Sequence, residues 1–434
     1  MENILAQAKR VAEEAEVFMA SLEETPVQFE ANHLKHIQSK QSTSVALRIV
    51  RQGRIGYSAT TRLGDSQDLV NMAVETAQFG IPAKFVFPSS VSYPKVEVFD
   101  PNIELVSIDD MVKLGEELIA TITRHTPDIV CLAQVIKGLV SVNIINSRGG
   151  QANYRISTFS LIMWGSLIRD TDMLFVGESQ SSCHPLSDSK AVAEAVLQQL
   201  ELAKNRASVQ SGVLPVIFTP RGVASALIPP LMAAFNGKIV LQGASPVGNK
   251  LGQPVFDEKL WLWDDPTIAY CPESRPCDDE GVPSQRTPLI EQGTVANFLY
   301  DLQTAALAHT QSTGNGSRHG GGLPVPSPSA FIIAPGSTTL DDMIQDMKEG
   351  LVIEQLMGAE QTNILGGDFS GNVLLGYKVE NGKIVGRVKD TMVSGNVYQA
   401  LRQIIAIGSE PRWVGSFLNT PPLYCPSLSV ATKG

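Results

Sequence analysis

The feature that most restricts the fold is the grouping of strand-like and helix-like segments into separate runs. Between Ile129 and Val176 lie three β-rich segments, VNIINS, YRISTFSLIMW and DMLFV. Alternating apolar residues from Val45 to Tyr57 predict a β-hairpin, and Gly53 supplies the positive φ of its turn. A doubly wound parallel sheet would alternate strand and helix more strictly. The sequence therefore predicts an α+β fold with antiparallel sheets.

Helical patterns flank the strand-rich runs of the first half. The predicted helices cover the stretches 4–15, 66–76, 107–118 and 187–207. Ser107 and Asp110 form a capping-box pattern at the start of the third helix. These amphipathic patterns predict helices that pack against the antiparallel sheets.

A polar stretch at 208–212 marks the predicted domain boundary. The predicted N-terminal domain, 1–207, is α+β with flanking helices, and the predicted C-terminal domain, 208–434, is β-rich. Turns are expected at Gln292-Gly293 and Asn381-Gly382. Helices are expected over 338–347 and 396–405.

Composition limits the possible functions. The chain has 434 residues, 43% hydrophobic and 18% charged, as in ordinary folded proteins. Its formal net charge of −10 repels a phosphate backbone and disfavours nucleic-acid binding. Five cysteines are too few for a disulfide framework in a chain of this length. The chain shows neither a secretory signal nor an apolar run of the roughly 20 residues that a membrane span needs. We therefore expect a cytoplasmic protein with no membrane or nucleic-acid partner.

A search for metal-binding and nucleophilic patterns gives no catalytic residue and no metal ligand. A helical His-Glu-x-x-x-His motif places two imidazoles one turn apart and adds a glutamate that activates water. None of the six histidines is followed by glutamate. His33 and His36 lie in a strand-like stretch and are interpreted as surface residues. Cys271 and Cys277 lack the second pair of a structural zinc site, and Cys183-His184 is interpreted as a chance adjacency.

A glycine-rich loop covers 312–322. It lacks the Gly-Lys-Ser/Thr ending of a P-loop, so nucleotide binding is disfavoured. Residues without Cβ atoms allow a peptide backbone to approach, and Arg318 is available to bind a carboxylate in a bidentate manner. A flexible surface loop without a binding role is an equally good interpretation of the same pattern.

A second polar stretch, Asp278–Gly281, contains three consecutive acids. Such a run can form a divalent-cation loop, but it is more often a solvated turn, and we expect the turn. The same interpretation applies to Asp368.

Several segments occur in the order found in one known family. They are Ala46–Gly56, Asn146–Gly149, Asp279–Arg286, Leu289–Gly293, Ser312–Gly316, Gly367–Ser370 and Val379–Ile384. The residues of these segments and their order along the chain, from about Met1 to Gly434, resemble those of the TldD/PmbA family.

The resemblance also places the chain in one branch of that family. TldD-like members carry His-Glu-x-x-x-His on a helix just after a strand. The matching window here, 224–237, follows a strand that ends at Phe218 and holds no side chain that binds zinc. Leu227, Leu231 and Ala234 predict an apolar helical face in its place. Cys425 lies near the position of the family's metal-binding cysteine, but in a different sequence setting. The chain thus resembles the metal-free PmbA/TldE-like branch.

The resemblance implies a role as the non-catalytic subunit of a metallopeptidase that acts on unfolded peptides. A TldD-like partner would supply the zinc, and this chain would shape the cleft and accept peptide as an added strand. Asn315, Gly316 and Arg318 are the expected peptide contacts. The main alternative is a stand-alone homodimeric module that binds peptides without cleaving them. Weaker alternatives are a regulator of DNA gyrase and a hydrolase that uses Cys183 or Cys425.

Overall fold

The computed structural model describes residues 1–62, 64, 66–318 and 322–433. The helices are α1 Glu2–Ala8, α2 Ser66–Ala77, α3 Asn102–Leu105, α4 Ile108–His125, α5 Lys190–Leu202, α6 Pro220–Ala226, α7 Ile228–Ala234, α8 Gly237–Leu241, α9 Leu302–Leu307, α10 Leu340–Asp346 and α11 Val397–Ala400. The strands are β1 Glu14–Glu30, β2 His33–Ile37, β3 Lys40–Arg51, β4 Arg54–Thr60, β5 Val130–Asn146, β6 Gln151–Arg169, β7 Asp172–Ser182, β8 Gly212–Phe218, β9 Leu262–Asp264, β10 Thr287–Glu291, β11 Thr294–Val295, β12 Gly316–Ser317, β13 Val325–Pro326, β14 Phe331–Ile333, β15 Glu349–Met357, β16 Asp368–Glu380, β17 Lys383–Arg387, β18 Thr391–Asn396, β19 Ala406–Ile407, β20 Arg412–Val414, β21 Leu418–Thr420 and β22 Leu423–Thr432.

The first half of the chain builds one antiparallel sheet. Its strands lie in the order β4-β3-β1-β5-β6-β7, and β2 pairs with β1. β3 and β4 form the predicted hairpin, and Gln52 and Gly53 at its turn have φ of 51° and 68°. This left-handed conformation at both positions is the one that a two-residue hairpin turn needs. The predicted α+β fold with antiparallel sheets is confirmed.

Helices cover one face of this sheet. In β5, Cys131 and Ala133 are buried, whereas Val130 and Leu132 are exposed. This alternation is expected when one face of a sheet lies against a core. α4 and α5 pack beside β5 and β7, and α1 and α2 pack at the other end, near β1, β3 and β4. Ser107 caps α4 and forms the predicted capping box with Asp110.

Within the described residues, the second half contains two larger sheets and the two-stranded sheet of β12 and β13. In one larger sheet, the strands lie in the order β15-β8-β22-β18-β16, and β15 also pairs with β16, so that these five strands close into a ring. β8 and β15 are parallel. The other larger sheet has the order β11-β10-β9-β14-β21-β20, with β14 and β21 parallel. The prediction of a β-rich C-terminal region is confirmed, and two parallel pairs add to the antiparallel pairing.

The sheet of the first half and the ring of strands share a hydrophobic core. One cluster of buried residues contains Leu118 and Leu161 from the first half and Ile217, Val352 and Tyr377 from the second. A second cluster, with Phe218 and Leu231, lies within the second half. The division into domains at residues 207 and 208 stays a prediction.

Four predicted helices are shorter than expected. Of these, α5 covers Lys190–Leu202 rather than 187–207, and α10 covers Leu340–Asp346 rather than 338–347. The first of the four ends at Ala8, and Ala15 pairs with Ile49 in the sheet, because a small alanine fits a buried strand as well as a helix. The last, predicted over 396–405, covers Val397–Ala400. After it the chain turns to β22, where the main-chain N–H of Ile405 donates to the carbonyl of Tyr424 at 2.8 Å.

Within the part of the chain that the structure describes, no helix is both long and apolar enough to cross a bilayer.

Candidate functional site

Three of the sequence segments that resemble the TldD/PmbA family meet at one buried group of charged side chains. We define the ionic cluster as Glu16, Arg48, Arg275, Asp278, Asp279, Glu280 and Arg318. β1 and β3 contribute the first two members, and the loop before β10 and the loop after β12 contribute the others. The fold therefore brings together motifs that are far apart in the sequence.

Arg48 lies at the centre of the ionic cluster. It stands opposite Glu16 in the register of β1 and β3, and its Nη2 donates to Glu16 Oε2 at 3.0 Å. Its Nη1 donates to Glu280 Oε1 at 2.5 Å. The guanidinium carbon also lies 4.6 Å and 4.9 Å from the ring centroids of Phe85 and Phe87. Arg48 is only 2% exposed, so its positive charge is enclosed between the sheet and a loop of the second half.

The acidic stretch Asp278–Glu280 is buried, and the prediction of a solvated turn is wrong. Asp278 and Glu280 are both 0% exposed. The Asp278 carboxylate accepts hydrogen bonds from the main-chain N–H groups of Glu280, Val282 and Gly316, at 2.8 to 2.9 Å. Main-chain N–H groups around Asp278 and the Arg48 guanidinium at Glu280 replace water around these acids, which is the condition for burying a charged group.

The three predicted peptide contacts lie in the wall of the ionic cluster. Asn315 is buried and its Nδ2 donates to Asp264 Oδ2 at 2.7 Å. Gly316 packs so closely that a Cβ there would lie 2.6 Å from Glu280 Oε2. The Arg318 guanidinium bonds Glu16, and its Nε donates to the carbonyl of Asp279 at 3.2 Å. Direct peptide contact by these residues stays a prediction, and 319–321 of the same loop lie outside the described residues.

Burial changes the ionisation of these acids. The ionic cluster holds four carboxyl and three guanidinium groups, so one carboxyl group has no full countercharge. Burial raises the pKa of Glu280 to about 8, against the opposing attraction of Arg48. Burial also raises the pKa of Asp278 and that of Asp264 to about 6. Burial therefore favours the protonated form of Glu280 more than that of an exposed glutamate.

The window that matches the metal helix of TldD-like relatives is helical and apolar. Thr219 caps α6 and accepts from the N–H of Gly222, with Pro220 at the first helical position, a favoured place for proline. α7 follows at once, and Leu227, Leu231 and Ala234 are buried as predicted. The window contains no histidine, cysteine, aspartate or glutamate, so its side chains do not fit a zinc ion.

The rest of the described chain offers little metal-binding or nucleophilic chemistry. Within residues 1–62, 64, 66–318 and 322–433, no group of three or more His, Cys, Asp and Glu side chains could hold a metal ion. Cys425 lies opposite Val216 of β8, and burial raises the pKa of its thiol to about 12. Burial raises the pKa of Cys183 to about 12 as well. Such thiols stay protonated at neutral pH and are poor nucleophiles.

A polar group at the start of α6 was not anticipated from the sequence. Thr219 Oγ1 donates to Glu354 Oε2 at 3.0 Å, and Arg221 Nη2 donates to Gln355 Oε1 at 2.8 Å. The Arg221 guanidinium also lies 5.2 Å from the ring of Trp164, and burial raises the pKa of Glu354. The available signal was Glu354, which directly follows the apolar residues Leu351, Val352 and Ile353 of β15, since a buried acid needs a partner.

Comparison with known proteins agrees with these features. A model of the PmbA/TldA metallopeptidase C-terminal domain matches residues 211–432, just over half of the chain, and a model of PmbA/TldA metallopeptidase domain 1 matches residues 15–77. The fold resembles that of TldE from Thermococcus kodakarensis, with a TM-score of 0.91, 21% identity and 99% of both chains covered. A Thermotoga maritima protein described as a candidate modulator of a DNA gyrase has a TM-score of 0.88 at 22% identity, again over 99% of both chains. At these identities the likeness concerns the fold.

Sequence relatives cover the chain to different extents. An uncharacterized protein of Methanocaldococcus jannaschii is 27% identical over 411 residues, 94% of each chain. Metalloprotease PmbA of Escherichia coli O157:H7 is 29% identical over 45% of this chain and 41% of its own length. A metalloprotease TldD homolog of Buchnera aphidicola is 30% identical over 46% of this chain and 41% of its own length. The alignments with these two metalloproteases thus span less than half of either relative. Because the C-terminal family model matches more than half of the sequence, this chain belongs to the PmbA/TldD metallopeptidase family.

Proposed function

We propose that this chain is a metal-free, PmbA/TldE-like subunit of a TldD/TldE-type metallopeptidase assembly that acts on unfolded peptides. In this proposal a zinc-bearing TldD-like partner cleaves the peptide, and the present chain supplies part of the cleft wall. The chain itself contributes no catalytic residue and no metal ligand.

One observation supports the proposal. Residues 224–237, the largely helical window after β8, contain no side chain that can ligate zinc. Leu227 and Leu231, which are buried, occupy this window. A catalytic zinc site needs three protein ligands of the His, Cys, Asp or Glu type and an open position for water. The window therefore does not support hydrolysis by this chain alone, and hydrolysis in the proposed assembly depends on the partner.

The ionic cluster has a structural part in this proposal. It ties β1 and β3 to the loops that carry Asn315 and Arg318. Both of these side chains already have partners within the protein, so they hold the loop in place. Their direct contact with a peptide stays a prediction.

The experiment combines metal analysis, solution mass and peptide hydrolysis. The purified chain, a zinc-bearing TldD-like relative and their mixture are each assayed with an unfolded peptide, with and without a chelator. We expect substoichiometric zinc in the isolated chain, a stable complex in the mixture, and chelator-sensitive cleavage that is faster in the mixture than with the relative alone. Cys425→Ser is the matched control, and it is expected to leave metal content unchanged because the buried Cys425 has no metal-ligating neighbours in the described structure.

Two results would refute the proposal. One is stoichiometric zinc in the isolated chain together with chelator-sensitive cleavage. The other is a mixture that neither associates nor gains activity. The alternative, a stand-alone peptide-binding module, would be favoured if the chain forms a homodimer that does not associate with the TldD-like relative and binds peptide without cleaving it.

A further inference from the structure

Arg286 is the charged residue of the Asp279–Arg286 segment that does not belong to the ionic cluster. The same sequence motif places Asp279 and Glu280 inside the cluster, but Arg286 lies on the outer face of the sheet that contains β9 and β10. Its guanidinium carbon lies 4.0 Å from the ring centroid of Trp263, which is cation–π geometry. Among the described residues no side-chain hydrogen bond or ion pair of Arg286 is found. The guanidinium is therefore held in place by stacking while its N–H groups remain available.

A pocket of about 240 Å³ lies beside this stacked pair. Two tryptophans, Trp261 and Trp263, form its aromatic wall, and Pro288 lies opposite Trp263 in the register of β9 and β10. This volume is below the range of about 300–1,000 Å³ typical of drug-sized ligands, so it suits a single amino-acid side chain.

The charges around the pocket are arranged with opposite signs at its two ends. Arg286 lies just before β10, and Glu291, which is exposed and also lines the pocket, lies at the end of β10. At about 3.4 Å per residue along a strand, these two positions are up to roughly 17 Å apart. Glu291, like Arg286, has no ion pair among the described residues. The pocket therefore has a free cation at one end, a free anion at the other and aromatic rings between them.

We infer that this pocket, defined by Trp261, Trp263, Arg286, Pro288 and Glu291, binds the carboxyl-terminal end of a peptide. The planar guanidinium of Arg286 pairs with the terminal carboxylate in a bidentate manner. The last side chain, apolar or aromatic, packs on Trp263 and Trp261. An extended peptide spans about 3.3–3.6 Å per residue, so Glu291 favours a basic residue about four positions upstream. The inference rests on the proposed peptide-handling role and adds to it a preference for chain ends.

The test uses the isolated full-length chain and isothermal titration calorimetry. The probe is acetyl-Lys-Ala-Ala-Ala-Phe with a free carboxylate, compared with its carboxyl-terminal amide and with a form that has glutamate in place of lysine. We expect the amide to bind at least about tenfold more weakly, since a bidentate hydrogen bond between charged groups is lost. The glutamate form is also expected to bind more weakly than the lysine form, because Glu291 repels it.

Substitutions test whether the peptide binds at this pocket or elsewhere on the surface. Arg286→Gln removes an exposed charge without disturbing the core, and it is expected to lower the affinity for the free acid to that of the amide. Arg286→Lys keeps the charge but not the bidentate geometry, so an intermediate affinity is expected. Arg412→Gln is the matched control, because Arg412 is an exposed arginine of the same sheet, on β20, and it is expected to leave binding unchanged.

The inference is overturned if the amide binds as tightly as the acid, if Arg286→Gln binds like the unmodified chain, or if the free acid does not bind at millimolar concentration. Association with the zinc-bearing relative is measured separately by solution mass. Arg286→Gln is expected to associate normally, so failure of the peptide test does not count against the assembly, and failure to associate does not count against the pocket.

Discussion

Replacing Arg48 by methionine should destabilise the protein far more than replacing an exposed arginine of an ion pair. Arg48 bonds Glu16 at 3.0 Å and Glu280 at 2.5 Å, and both acids are fully buried. Methionine keeps much of the apolar volume beside Phe85 and Phe87, but it removes the countercharge of Glu280 and one of the two arginine partners of Glu16, the other being Arg318. Breaking a buried ion pair by removing one partner costs about 3–5 kcal/mol, and we expect a loss of this size in the free energy of unfolding.

The assay is equilibrium urea denaturation followed by circular dichroism. Arg169→Met is the matched control, because Arg169 pairs with Asp128 at 2.9 Å on the surface, where solvent screens the two charges and the pair adds little to stability. The double variant Arg48→Met with Glu280→Gln should recover about 1–3 kcal/mol, since one uncompensated acid is removed. A loss for Arg48→Met no larger than that of Arg169→Met would refute the reasoning that the enclosed charge holds the two halves together.

Two further predictions concern the same cluster. Burial raises the pKa of Glu280 from its ordinary value of 4.5 to about 8, so between these values the folded state keeps a proton that the unfolded state has released, and stability should fall as pH rises. Urea midpoints from pH 5 to pH 8 should decline less steeply for Glu280→Gln, and equal slopes would contradict the assignment. Gly316→Ala should cost about 1–3 kcal/mol, because its Cβ would lie 2.6 Å from Glu280 Oε2. Gly212→Ala is the control, because a Cβ there meets nothing within 4 Å. Similar melting temperatures for the two variants would contradict the prediction, since they would show that the loop around Gly316 accommodates the added methyl group.

The parts of the fold that local chemistry specifies could be predicted from the sequence. The turns at Gln52-Gly53 and Asn381-Gly382 adopt the expected left-handed backbone, because such turns depend only on neighbouring residues. Ser107 caps its helix for the same reason. The burial of Asp278 could not be predicted, since one of its donors is the N–H of Gly316, 38 positions away. Closure of the ring through β15 and β16 likewise depends on pairing that no local pattern encodes.

The candidate site also contains features that local sequence predicts and features that it does not. The apolar face of Leu227, Leu231 and Ala234 followed from helical spacing, and the structure confirms its burial. The stack of Arg286 on Trp263 was not visible in the sequence, because Trp263 lies on β9 and Arg286 lies just before β10.

The distance in sequence between the partners of the ionic cluster affects how the protein is made. Arg48 and Glu280 are 232 positions apart, and Glu16 and Arg318 are 302 positions apart. At synthesis rates of about 5–20 residues per second, the ribosome needs on the order of 15 to 60 seconds to produce Arg318 after Glu16. During that interval the sheet of the nascent chain holds Glu16 without Arg318 and Arg48 without Glu280, so that each has only part of its final set of partners. An amino-terminal fragment released in that period would carry the same unmet charges, which makes it a natural target for chaperones and proteases.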